Sequence, residues 1–240
     1  QSFILFNRKN IDDLKSSLDL LSSDLKGNFL LSEIDNKMDT VLLVSKFDHC
    51  LNDLLFRVRN NSLNINIKAI ISNHKVAQEI AEFSNIPFHY LHVDKNNKDQ
   101  QEQKIKKILY ENNVELIVLA RYMQVLSESF TNEFEGKIIN IHHSFLPSFK
   151  GAKPYHQAFE RGVKVIGATA HYVTKELDEG PIIEQDTQEV DHEMMPDDLI
   201  SIGRDIESRV LYRALKAHSE KRVFLNGKRT IVFKGHRKVV

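Results

Sequence analysis

Apolar residues recur at helical spacing near the start of the chain, between two short strand-like runs. Residues 11–25 place an apolar residue at every third or fourth position, namely Ile11, Leu14, Leu18, Leu21 and Leu25, which predicts one amphipathic helix. The runs at 2–6 and 28–34 predict strands. Residues 1–35 are therefore expected to form a small α/β fragment, which the polar run 35–39 links to the rest of the chain.

Beyond this linker, continuous apolar runs alternate with longer amphipathic segments. The pattern predicts strands over 40–45, 65–72, 87–91, 115–120 and 136–141, and helices over 49–59, 76–84 and 98–113. Strands that alternate with helices of about ten residues indicate βαβ units. The expected fold class is α/β, with a mainly parallel, twisted sheet and helices on both faces.

The last third of the chain has a different pattern. Two strands are predicted over 165–174 and 181–190, joined by a short turn, and a long helix over 196–219 carries Leu199, Ile202, Ile206, Val210 and Leu215. A basic end follows, with Lys221, Arg222, Lys228, Arg229, Lys234, Arg237 and Lys238. Because these cations are scattered, they favour a solvated tail or a short hairpin over a nucleic-acid site.

Composition and charge narrow the class of protein. The 33 basic and 33 acidic residues give a formal net charge of zero, which argues against a general binder of nucleic acid or membrane surfaces. The single cysteine, Cys50, excludes an internal disulfide and a cysteine-based zinc site. No apolar run approaches the roughly 20 residues of a membrane span. We therefore expect a cytoplasmic protein with no nucleic-acid or membrane partner.

Polar residues follow two consecutive strands of the predicted sheet. Asn140 and His142 stand at the end of the strand 136–141, and the segment 120–127 follows the strand before it. Ligands of open parallel sheets bind outside the carboxyl ends of the strands. In extended backbone His142 shares a face with Asn140, whereas His143 points the other way. The amide and the imidazole could together stabilise an oxyanion, but a histidine that caps loop carbonyls fits the local pattern equally well.

A site of this kind needs a carboxylate as a base or an orienting group. The turn between the last two predicted strands offers Glu176, Asp178 and Glu179, although turn carboxylates are more often solvated or bonded to local backbone. His171, in the strand before the turn, is more typical of a strand histidine with local hydrogen bonds. The residues alone leave these alternatives open.

Metal and phosphate sites have little support in the sequence. The adjacent His142 and His143 project to opposite faces, so their spacing does not favour a closed zinc site. The segment after the strand 40–45 contains no glycine and two acidic residues, Asp48 and Asp53. Backbone amides could not easily wrap a phosphate there, and Asp48 would repel it.

Two long stretches carry a resemblance to a known family. NIHHSFLPSFKGAKPYHQAF (140–159) and GATAHYVTKELDEGPIIEQD (167–186) resemble the formyltransferase-type family, whose members use 10-formyltetrahydrofolate. The resemblance covers about residues 40–225 and implies a Rossmann-like catalytic domain over 40–240. It implies that Asn140, His142 and Asp178 are catalytic. It also implies a substrate pocket formed by Met123, Gln124, Val125, Leu126, Ser144, His171, Glu176 and Leu177.

Within this family the chain is most similar to the deformylase branch. The segments VSKFDHCLNDLL (44–55) and LARYMQVLS (119–127) resemble that branch, whereas transformylases have a glycine-rich phosphate loop at the first position. The resemblance implies hydrolysis of 10-formyltetrahydrofolate to tetrahydrofolate and formate, which supplies formate for purine synthesis and balances the one-carbon folate pool. The alternative is a phosphoribosylglycinamide formyltransferase or another formyltransferase that uses the same donor. No metal or redox cofactor is implied, and the partners expected are the folate and further copies of the chain.

The N-terminal fragment also resembles part of a known domain. Deformylases of this type begin with an ACT-like regulatory domain, and residues 1–35 resemble its last strand, helix and strand. A complete ACT domain would need a further strand–helix–strand segment ahead of Gln1. We therefore expect a truncated ACT-like region in front of the catalytic domain.

Overall fold

The computed structural model describes residues 11–29, 31, 36–94, 96–147 and 154–235. The chain divides into two compact units, 1–36 and 37–240. In the first, helix α1 spans Ile11–Leu25, as the apolar spacing predicts. The strand predicted over 2–6 lies outside the described residues. Of the strand predicted over 28–34, the described positions 28, 29 and 31 are not in a strand, and the ACT-like assignment stays a prediction.

The second unit contains the predicted alternation of strands and helices. Its elements, in chain order, are β1 (Met38–Val44), α2 (His49–Arg59), β2 (Ile65–Ser72), α3 (Gln78–Phe83), β3 (Phe88–Tyr90), α4 (Lys98–Glu111), β4 (Leu116–Leu119), α5 (Glu128–Glu133), β5 (Ile138–His142), α6 (Pro154–Glu160), β6 (Val165–Tyr172), β7 (Ile182–Glu189), α7 (Pro196–Ser219), β8 (Val223–Asn226) and β9 (Arg229–Val232). The short helices α5 and α6 are additions to the predicted set. The basic end forms the β8–β9 hairpin as far as Val232, and Arg237 and Lys238 lie outside the described residues.

Seven of these strands form one sheet in the order β3-β2-β1-β4-β5-β6-β7. The strands from β3 to β5 are parallel, and β6 and β7 join antiparallel at one edge. The predicted fold class, α/β with a mainly parallel sheet, is confirmed. The strand order reverses between β1 and β4, and in such sheets ligands bind at that reversal, outside the carboxyl ends of the strands.

Two apolar cores cover the two faces of the sheet. On one face, Leu42, Val118, Ile139 and Ile141 pack with buried residues of α2 and α7. On the other face, Val41, Ile117 and Ile138 pack with α4 and α5. Strands buried on both faces explain the continuous apolar runs in the sequence. No helix among the described residues is long and apolar enough to cross a membrane.

The connection between β6 and β7 starts beside β5. In the antiparallel pairing of β5 with β6, Asn140 lies opposite His171 and Ile139 opposite Tyr172. The chain then folds back closely, because a Cβ atom at Gly180 would lie 1.7 Å from the carbonyl oxygen of Tyr172. Only glycine leaves room for this approach. The carboxylates of the connection are thereby brought next to the end of β5.

Candidate active site

Strand β5 presents an amide and an imidazole on one face of the sheet. Asn140 and His142 alternate with Ile139 and Ile141, which are buried in the core on the opposite face. His142 is only 6% exposed, and its Nε2 has no hydrogen-bond partner among the described residues. A buried imidazole nitrogen of this kind is available to a ligand.

Asp178 approaches this face from the β6–β7 connection. Its Oδ1 lies 3.3 Å from Nδ1 of His142 and 3.8 Å from Nε2 of His171. The backbone at Asp178 has φ = 58°, a left-handed conformation that aspartate and asparagine tolerate better than most residues. Burial raises the pKa of Asp178, but its hydrogen bond to His142 and the electrostatic influence of His142, His171 and His143 together outweigh burial and lower it. The carboxylate is therefore ionised at neutral pH.

His171 holds the Asn140 amide in one orientation. Its Nδ1 lies 2.9 Å from the carbonyl oxygen of Tyr172, and its Nε2 lies 3.2 Å from Nδ2 of Asn140. Burial lowers the pKa of His171, so the ring is neutral and carries a single N–H. If Nδ1–H donates to the carbonyl, Nε2 must accept one N–H of the amide. The second N–H of Asn140 is then left for a ligand.

This geometry predicts that His171 acts through Asn140. Replacing His171 by Phe frees the Asn140 amide, which can then turn its oxygen toward the substrate. We expect kcat to fall by up to about tenfold, the value of one hydrogen bond, and KM to change little. Steady-state kinetics of the single variant, of Asn140→Ala and of the double variant would measure this. In the Asn140→Ala background the His171 substitution should cost nothing more, and an equal second loss would contradict the positioning role.

The candidate catalytic side chains line one cavity of about 230 Å³. Its wall includes ten of the eleven residues that the sequence analysis assigned to the site: Asn140, His142, Asp178, Met123, Gln124, Val125, Leu126, His171, Glu176 and Leu177. The segment 121–126 is anchored at Met123, whose N–H donates to Oγ of Ser45 at 3.0 Å. Met123, Val125 and Leu177 are each at least half exposed at the rim, which is what an apolar ligand surface requires.

Ser144 does not lie in this cavity. It lines a second cavity of about 220 Å³ with Phe145, Tyr155, Ile166 and other residues, and its carbonyl accepts a hydrogen bond from Thr169. Strand β5 ends at His142, so the alternation that predicts facing does not extend to residues 143 and 144. The family resemblance implied that Ser144 contacts the substrate; the structure places it in the neighbouring cavity, and the contact stays a prediction.

A buried ionic network adjoins the cavity and was missed in the sequence. Glu207 of α7 is 1% exposed, and it accepts from Tyr155 Oη at 2.6 Å and contacts Nε2 of His49 at 2.8 Å. Nε of Arg121, which follows β4 and lines the cavity, lies 3.3 Å from Glu207. A Cβ atom at Gly203 would collide with the Tyr155 ring, so this glycine leaves the space in which Tyr155 reaches Glu207. The available sequence signal was an acidic residue on the buried face of α7.

One group within the described ranges has the spacing of metal ligands. Donor atoms of His49, Cys50 and Glu207 all lie within 4.8 Å of one another. Burial, followed by the charge of Glu207, raises the pKa of the Cys50 thiol well above its usual value, so the thiol is a poor ligand. The Arg121 guanidinium beside Glu207 also opposes a second cation. This chemistry does not favour a metal there.

Comparison with known proteins places the chain in a family. The model of the Formyl transferase family matches residues 38–215. The formyltetrahydrofolate deformylase of Corynebacterium sp. (strain P-1) is 49% identical over 224 residues, which are 93% of this chain and 78% of that protein. The chain belongs to the formyl transferase family, and within it to the formyltetrahydrofolate deformylases. The predicted resemblance is confirmed.

Solved structures agree with this family assignment. The structure of the formyltetrahydrofolate deformylase from Burkholderia mallei matches with a TM-score of 0.87 at 46% identity, over 93% of the present chain and 80% of the Burkholderia chain. A glycinamide ribonucleotide transformylase from Symbiobacterium toebii matches with a TM-score of 0.78 at 28% identity, over 87% of this chain and 99% of that one. The transformylase is thus similar in fold but more distant in sequence.

Proposed function

We propose that this chain hydrolyses 10-formyltetrahydrofolate to tetrahydrofolate and formate, with Asn140, His142 and Asp178 as the catalytic group. The observation that carries the proposal is the contact of Asp178 Oδ1 with His142 Nδ1 at 3.3 Å, beside the Asn140 amide, in a cavity large enough for part of a folate. A carboxylate, an imidazole and an amide in this arrangement suit addition of water to a formyl group.

Each side chain has a distinct task in the proposed reaction. Asp178 orients the attacking water and accepts its proton. The free N–H of Asn140 and the protonated His142 donate hydrogen bonds to the oxyanion that forms on the formyl oxygen. Because Asp178 occupies Nδ1 of His142, Nε2 is the nitrogen left for the substrate. From Nε2, His142 then passes a proton to the departing folate nitrogen.

The connection between β1 and α2 favours water over a phosphate-bearing amine as the acceptor. No glycine occurs between Ser45 and Asp48, and Oγ of Ser45 is engaged with Asn73 at 2.7 Å. The carboxylate of Asp48 stands directly before the N-terminus of α2, where a phosphate would otherwise bind. A loop of this kind repels a phosphate, so an acceptor such as glycinamide ribonucleotide has no holding site there.

The test is to follow formate and tetrahydrofolate during incubation with 10-formyltetrahydrofolate, with and without glycinamide ribonucleotide. We expect both products in equal amounts and no change in rate when the amine is added. A formylated amine as the main product would replace the hydrolase with the transferase alternative. Binding of the folate with no product at all would instead indicate a folate-binding protein without turnover.

The site is proposed to work in the cytoplasm with no metal or redox cofactor, in a homo-oligomer. The network around Glu207 disfavours a cation, and the proposed steps use only protons and hydrogen bonds. Cytoplasmic location and the homo-oligomer stay predictions. Light scattering of the purified protein would measure its mass in solution, and an unchanged rate after dialysis against a chelator is expected.

A further inference from the structure

Arg121 places a buried cation at the wall of the catalytic cavity. It lies two residues after the end of β4, adopts a left-handed backbone with φ = 65°, and is 8% exposed. Its Nε and Nη1 have no hydrogen-bond partner among the described residues. Buried guanidinium nitrogens are rarely left in this state, so the two atoms indicate a ligand.

The guanidinium is held in place from two sides. Glu207 lies 3.3 Å from its Nε without forming a hydrogen bond of good geometry, and the Phe47 ring centre lies 5.3 Å from its central carbon. Glu207 is itself fixed by His49 and Tyr155. The charge of Glu207 is therefore shared among several donors, and Arg121 is pre-organised for a further anion.

Other groups in the cavity are poor candidates for binding the anion that is released. In the proposed reaction His142, which also lines the cavity, has by then passed its proton to the folate nitrogen. Burial, together with the charge of Arg121, lowers the pKa of His143 to about 3, and His171 is also neutral. Lys175 is more than half exposed and pairs with Glu128 at 3.6 Å. Asp178 adds a negative charge to the cavity, so a second anion there requires a cation that faces it.

The proposed reaction generates such an anion. Water adds to the formyl carbon and the carbon–nitrogen bond breaks. The folate nitrogen takes one proton, a second proton passes to solvent, and the carbon leaves as formate with one negative charge. We propose that Arg121, positioned by Glu207, binds this formate. The inference rests on the proposed function, and it adds a product site that transfer of the formyl group to an amine would not need.

The test measures formate as a product inhibitor of tetrahydrofolate release, with sodium chloride at equal ionic strength as the reference. Loss of a charge-assisted hydrogen bond should raise the inhibition constant of formate about ten- to a hundredfold in Arg121→Gln. If the single variant folds poorly, the double variant Arg121→Gln/Glu207→Gln takes its place, because it leaves no unpaired buried charge. It should show the same rise in the inhibition constant of formate. Arg204→Gln is the matched control, since Arg204 is exposed and faces the same Phe47 ring.

Two outcomes separate this inference from the proposed function. If the wild type releases formate but its inhibition by formate is the same in every variant, Arg121 is not the formate site and the hydrolase remains. If the wild type releases no formate, the hydrolase is rejected. In that case the shift in unfolding temperature caused by sodium formate still tests Arg121, and a shift equal in wild type and the double variant overturns the inference.

Discussion

Replacing Asp178 by Asn should lower kcat for formate release by about 10²- to 10⁴-fold, the contribution of a positioned general base. The amide cannot accept the proton of the attacking water, and Nδ1 of His142 loses the anion 3.3 Å away. The backbone should be unaffected, because Asn tolerates the left-handed φ of 58° at this position. KM should change little, because the proposed contacts of Asp178 are made in the transition state and not in the ground-state complex with the substrate.

Glu179→Gln provides the control for this experiment. Glu179 is an exposed carboxylate in the same connection, and its loss should leave kcat within about twofold, since surface substitutions have small effects. Rates for wild type and both variants should come from initial formate release at saturating 10-formyltetrahydrofolate. A kcat of Asp178→Asn within threefold of the wild type would remove this carboxylate from the mechanism.

The parts of the site that the sequence predicted are those that depend on local geometry. Strand alternation has a period of two residues, so Asn140 and His142 could be placed on one face before the fold was known. The ends of β4 and β5 meet because consecutive parallel strands pair, which also follows from the pattern. The rule does not reach Ser144, because the strand ends at His142, and that residue was named only from the family resemblance.

Long-range contacts could not be read from local patterns. The approach of Asp178 to His142 depends on the pairing of β5 with β6 and on the close passage at Gly180. Turn carboxylates are usually solvated, so only the family resemblance singled out Asp178. The contact of Arg121 with Glu207 joins the end of β4 to α7, and no local periodicity specifies that pair. An acidic residue on the buried side of α7 is a signal that a buried partner exists, but it does not specify which residue that partner is.

Among the substitutions considered, breaking the Arg121–Glu207 ion pair is expected to have the largest effect on the free energy of unfolding. Glu207 is 1% exposed, and removal of one partner from a buried ion pair costs about 3–5 kcal/mol, because the other charge stays buried and uncompensated. Glu207→Gln leaves the Arg121 guanidinium uncompensated and should lower the free energy of unfolding by about that amount. Arg121→Met should cost less, because His49 and Tyr155 still contact Glu207. The double variant should lose no more than Glu207→Gln alone, since it leaves neither charge unpaired.

The comparison should be made by urea unfolding at neutral pH and repeated in acid. Lys107→Met is a matched control, because Lys107 forms an exposed pair with Glu111 at 3.7 Å and its replacement should cost at most about 1 kcal/mol.

Burial raises the pKa of Glu207, but His49, Arg121 and Tyr155 outweigh burial and lower it. Its charge therefore contributes stability above the unfolded pKa of about 4.3, and that contribution is lost as the pH falls through the lower pKa of the folded state. The difference in stability between wild type and Glu207→Gln should narrow as the pH falls below about 4.3. A difference that stays constant, or costs that simply add in the double variant, would show that the two charges are not coupled.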